Sequence, residues 1–90
     1  MPKILEDRIN NLTVYIYSDD HIPAHVHVFC GAKKSRNQLN MKIALGSETE
    51  RPKLLMKDQN IKTKDVIAAL KLIAKHQQEL LERWKEIHGS

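Results

Sequence analysis

Ninety residues with a hydrophobic fraction of 41% suffice for one domain, residues 1–90, because a core of this size cannot be divided and stay stable. Fifteen basic against eleven acidic side chains give a formal charge of +4, an excess that favours polyanionic partners without specifying one. No apolar run approaches the roughly 20 residues of a membrane-spanning helix, the N-terminal stretch mixes charges instead of forming a signal-peptide core, and the single Cys30 has no internal disulfide partner, so a cytoplasmic protein without membrane association is expected.

Lys3 to Asp7 reads as a short edge strand running into the turn-prone pair Asn10-Asn11. Leu12 to Tyr17 alternates, with Leu12, Val14 and Ile16 on one face and Thr13, Tyr15 and Tyr17 on the other. Ser18 to Pro23 has turn composition, and Pro23 cannot donate to a ladder. Ala24 to Cys30 is the next strand; Val26, Val28 and Cys30 share one side, and His25, His27 and Phe29 the other. A basic loop with Lys33, Lys34 and Arg36 follows. Gln38 to Leu45 then alternates with Leu39, Met41, Ile43 and Leu45 inward and Gln38, Asn40 and Lys42 outward. Gly46-Ser47 closes it, and Arg51 to Met56 is a weaker strand.

From Thr63 the period becomes helical. Val66, Leu70, Ile73, Leu80, Trp84 and Ile87 recur at steps of three and four or their sum, and only Gln77 interrupts the stripe. Thr63 is the expected N-cap, Asp65 suits the positive helix start, and Gly89 a C-terminal stop. Trp84 falls in the stripe as a core anchor; His76 and His88 fall outside it, toward solvent. The expected fold is α+β: an antiparallel sheet of three to five strands covered on one face by one long C-terminal helix. The other face would carry Tyr15, Tyr17, His25, His27, Phe29, Gln38, Asn40 and Lys42.

That surface holds the candidate chemistry. His25 and His27 lie two residues apart on a strand, so both rings emerge on one side, about 6.6 Å apart at the backbone. Such a pair, with His21, Asp19 or Asp20 from the preceding turn, can chelate a divalent metal. Neutral imidazoles can equally act as general acid and base on a phosphodiester, which makes His21, His25 and His27 the candidate catalytic residues. They can also simply cover a sheet and bond to the turn. Tyr15 and Tyr17 can stack on bases, and Lys33, Lys34, Arg36 and Lys42 can meet phosphates; ordinary strand packing and a solvated loop account for the same residues. Cys30 points with the valines and reads as a small core residue.

Tyr15-Ile-Tyr17, followed by Asp20-His21-Ile-Pro23-Ala-His25-Val-His27-Val28, resembles a family of small bacterial proteins catalogued as domain of unknown function 4160. His76, Glu79-Leu80-Leu81 and Trp84 are similar to that family's closing signature, and Met1-Pro2-Lys3-Ile4 to its opening. The basic loop around Lys33 is longer than in the family pattern, and Ala24 stands where a second proline is common. The resemblance implies bacterial or phage origin and one half of a two-gene pair, hence a cognate small protein partner. The expectation is a toxin-like module of a toxin–antitoxin-type pair that binds or cleaves RNA through its His/Tyr/basic face. The alternatives are a non-enzymatic protein-interaction module, acting through that face or an edge strand, and a His-cluster metal-binding domain. A second copy of the chain is a further possible partner, since small domains bury little of their surface alone.

Overall fold

The computed structural model describes residues 3–17, 23–30 and 39–88. Five strands, β1 (Lys3–Asp7), β2 (Leu12–Tyr15), β3 (His25–Cys30), β4 (Asn40–Ala44) and β5 (Lys53–Lys57), pair antiparallel in sequence order. Two helices follow, α1 (Thr63–Lys75) and α2 (Gln77–His88). This is the expected α+β architecture, with both edge strands present. No helix among the described residues is long and apolar enough to cross a membrane.

Strand alternation decides what is buried. Val14 pairs with Val28, and Val28 with Met41. These residues join Leu12, Ile16, Val26, Ile43 and Leu45 as fully buried side chains, closed over by Ile61, Ala69, Ile73, Leu80 and Trp84. Each fully buried aliphatic side chain contributes about 1.5–3 kcal/mol from surface removed from water, so this sheet–helix interface holds the fold together.

The turns are fixed by polar side chains. Between β1 and β2, the Asp7 carboxylate accepts from the backbone N–H of Ile9 (3.1 Å) and Asn10 (3.2 Å) and from Asn10 Nδ2 (2.8 Å), while Asn11 takes a left-handed conformation at φ 57°. These bonds, the Asn10 side chain's first, hold the Asp7 carboxyl below the usual carboxylate range. At the start of β4, Asp58 Oδ2 accepts from the Asn40 N–H at 2.8 Å, and the Asp58 N–H returns a bond to the Asn40 carbonyl at 3.1 Å. After β4, Gly46 has φ 73°, and a Cβ there would lie 2.5 Å from the Glu50 carbonyl oxygen. Only glycine fits that corner without strain.

The helical stretch is divided at His76, whose backbone (φ −111°, ψ 18°) leaves the α region. Gln77, the polar interruption of the apolar stripe, explains the division. Its Nε2 donates to the carbonyls of Leu45 (2.7 Å) and Glu50 (2.9 Å), tying the start of α2 to the end of β4 and the following loop. Thr63 proves to be the first helical residue, not the cap. Lys62 occupies the N-cap position without a side-chain bond, and its carbonyl accepts from Asp65 and Val66.

Candidate functional site

The pairing register sets the composition of the sheet face opposite the core. Tyr15 lies across from His27, His27 from Lys42, and Lys42 from Met56. This gives one transverse row over four strands. A parallel row runs Thr13, Phe29, Asn40, and a third joins His25 to Ala44 and Lys53. Tyr15, Tyr17, His27, Phe29 and Lys42 are each half-buried, in contrast to the sealed aliphatic side.

The rings along this face touch in sequence. Phe29 meets Tyr15 edge-on at 5.4 Å between centroids. Tyr15 and Tyr17 are stacked at 6.3 Å, and Tyr17 meets His27 edge-on at 4.4 Å. His27 and His25 follow at 5.3 Å and a tilt of 57°. Offset and edge-to-face contacts of this kind are the favoured arrangements for aromatic pairs, each adding about 0.5–1.5 kcal/mol beyond simple burial. The result is a pre-packed, half-buried ring ladder, bordered on the same face by the buried Thr13, His25 and Ala44.

His25 differs from His27. It is 9% exposed, and its Nδ1 lies 2.9 Å from the Pro23 carbonyl oxygen. A carbonyl can only accept, so Nδ1 carries the proton and, in the neutral ring, Nε2 carries the lone pair. Trp84 of α2 covers the ring at 5.7 Å between centroids. The end of the sheet where β3 begins is therefore closed by α2.

His88 was expected to face solvent; the structure corrects this. Its ring stacks on Trp84 at 3.7 Å and 20°, and its Nδ1 donates to the Trp84 carbonyl at 2.9 Å. Its Nε2 is buried with no hydrogen-bond partner among the described residues. The spacing carried the signal: Leu80, Trp84 and His88 recur every four residues, one stripe along α2. His76 is half-buried, with Nδ1 3.3 Å from Glu79 Oε1.

Of the other sequence candidates, His21, Lys33, Lys34 and Arg36 lie outside the described residues, as do Asp19, Asp20 and Gln38. Among the described residues no group of three His, Cys, Asp or Glu side chains is placed to hold a metal ion. Burial, with smaller contributions from Asp65 and Asp58, pushes the Cys30 thiol up, so it is held as the un-ionised thiol, packed beside the core. Met56 joins the face through a bulge: Lys42 faces Met56 and Ile43 faces Leu54, leaving Leu55 as the extra residue of β5.

A family model described as Domain of unknown function (DUF4160) matches residues 11–85. The chain belongs to this family. The DUF4160 match runs from just before β2 to within three residues of the end of α2, and takes in Tyr15, Tyr17, His25, His27, Lys42 and Trp84. It leaves out β1 and His88. Comparisons with curated proteins and with solved structures find no match.

Proposed function

We propose that this DUF4160 chain is an RNA-directed, toxin-like module of a bacterial gene pair, acting in the cytoplasm through the aromatic face of its sheet. The ring ladder Phe29–Tyr15–Tyr17–His27 beside Lys42 is the observation that carries the reading. Single-stranded nucleic acids are bound by exposed aromatic rings that stack on bases and by cations that track the phosphates. A stacked base contributes about 1–3 kcal/mol. Lys42 supplies a cation within the face, the 31–38 segment supplies Lys33, Lys34 and Arg36, and the +4 balance draws the polyanion in.

The two histidines of β3 take different parts. His27, half-buried among the tyrosines, is the group that meets RNA and, in cleavage, takes the ribose 2′-hydroxyl proton. His25, with its Nδ1 tied to Pro23, braces His27 from behind. The proton for the leaving 5′-oxygen then comes from a second imidazole, His21, since the Nδ1 proton of the buried His25 is committed to Pro23. The test is binding and cleavage of a labelled single-stranded RNA by wild type, Tyr17→Ala, His27→Ala and Lys42→Glu. Binding should weaken by about 5- to 100-fold for Tyr17→Ala, and any cleavage should vanish in His27→Ala. Equal behaviour of all four proteins ends the proposal.

A further inference from the structure

β5 is the last strand of the sheet, and among the described residues no strand lies on its outer side. Its centre is apolar and exposed, with Leu55 43% and Met56 47% accessible. Beside it is a concavity of about 290 Å³ lined by Pro23, Ala24, Ala44, Gly46 and Leu55, with two cations, Arg51 and Lys53, and one carboxylate, Glu50, also contributing to its wall. That is an apolar pocket with a mainly cationic rim, sized for one large side chain and adjoining a strand edge. Such a combination suits strand addition, in which backbone bonds give affinity and a pocket for alternate side chains gives specificity.

We propose that the β5 edge, Lys53–Lys57, docks an extended segment of a partner protein, apolar at its centre and acidic at both ends. Charge selects this occupant. Lysines and a bulge on an edge strand ordinarily repel other strands, but Lys53 and Lys57 bracket Leu54, Leu55 and Met56, so acidic flanks on an incoming strand are attracted while basic ones are repelled. A second copy of the chain is disfavoured by the same feature. The antiparallel two-fold register centred on Leu55 is the one that sets all three apolar residues opposite one another, and it sets Lys53 opposite Lys57. Like charges directly across a ladder are destabilising. This inference does not rest on the RNA reading, since the aromatic ladder on β2 and β3 is not part of it.

The probe is a short fluorescent peptide with a valine–isoleucine core and two acidic residues at each end, titrated against the full chain. Controls carry the same core with lysine ends, or acidic ends around a glycine–serine core. The acidic apolar peptide should bind at least about tenfold more tightly than either control, a step of about 1.4 kcal/mol. Leu55→Asp should remove that advantage, and the double change Lys53→Glu with Lys57→Glu should transfer it to the lysine-ended peptide. Circular dichroism checks that each variant is folded, and the exposed double change keeps the test decisive should Leu55→Asp unfold. Equal binding of the three peptides, or no response to the charge reversal, overturns the proposal. So does a wild-type dimer in sedimentation that Leu55→Asp makes monomeric, because a second copy is then the occupant.

Discussion

Replacing Gln77 by glutamate changes one atom type at a junction that fixes where α2 begins. In the native chain Nε2 donates to the Leu45 carbonyl at 2.7 Å and the Glu50 carbonyl at 2.9 Å. Gln77→Glu removes both donors and puts a carboxylate oxygen against two carbonyl oxygens. Each lost bond costs about 1 kcal/mol, and setting an ionised group against the part-buried Leu45 carbonyl adds about another 1 kcal/mol. A loss of about 2–3 kcal/mol follows, which for a domain of this size lowers Tm by roughly 10–20 °C. The new carboxyl is more comfortable protonated in the folded state, where its O–H can donate to a carbonyl. Its folded pKa therefore lies above its unfolded value of about 4.3, and the deficit against wild type shrinks as pH falls toward that value. Urea unfolding at pH 7 and pH 4.5 measures both effects. A variant within about 0.5 kcal/mol of wild type at pH 7, within the usual range for surface changes, refutes the role assigned to Gln77.

Gly46→Ala should cost about 1–3 kcal/mol in urea unfolding, because φ 73° and the approach of Glu50 O both oppose a Cβ. Asp7 should titrate below the ordinary carboxylate range in NMR, and Asn10→Ala, which removes the largest cause, should move its midpoint back up. Because the folded value is the lower one, the stability this turn contributes is complete above the ordinary carboxylate pKa and is lost as pH falls through the depressed value. Cys30 should react with iodoacetamide at pH 8 more slowly than a free thiol, since burial disfavours its thiolate; labelling as fast as in the urea-unfolded chain would contradict its placement.

Alternation made the sheet legible. Leu12, Val14 and Ile16, then Val26 and Val28, then Met41, Ile43 and Leu45 repeat at a period of two, and register pairs them on one buried side. The opposite parity placed Tyr15, His27 and Lys42 side by side before any coordinate did. Three features escaped because they depend on tertiary contact. Gln77 appeared as a flaw in a helix stripe, but its meaning lies in two carbonyls far away in the chain. The bulge at Leu55 that turns Met56 onto the aromatic face leaves no mark in composition. Trp84 was readable as a core anchor, yet its second contact, over His25 and under His88, required knowing that α2 closes the end of the sheet.

The most direct test of the account is an amide NMR titration of the chain with a short single-stranded RNA. The aromatic-face reading predicts shifts concentrated at Tyr15, Tyr17, His27, Phe29 and Lys42, abolished by Tyr17→Ala together with His27→Ala. Shifts confined to α1 and α2, or a spectrum the RNA leaves unchanged, would contradict it.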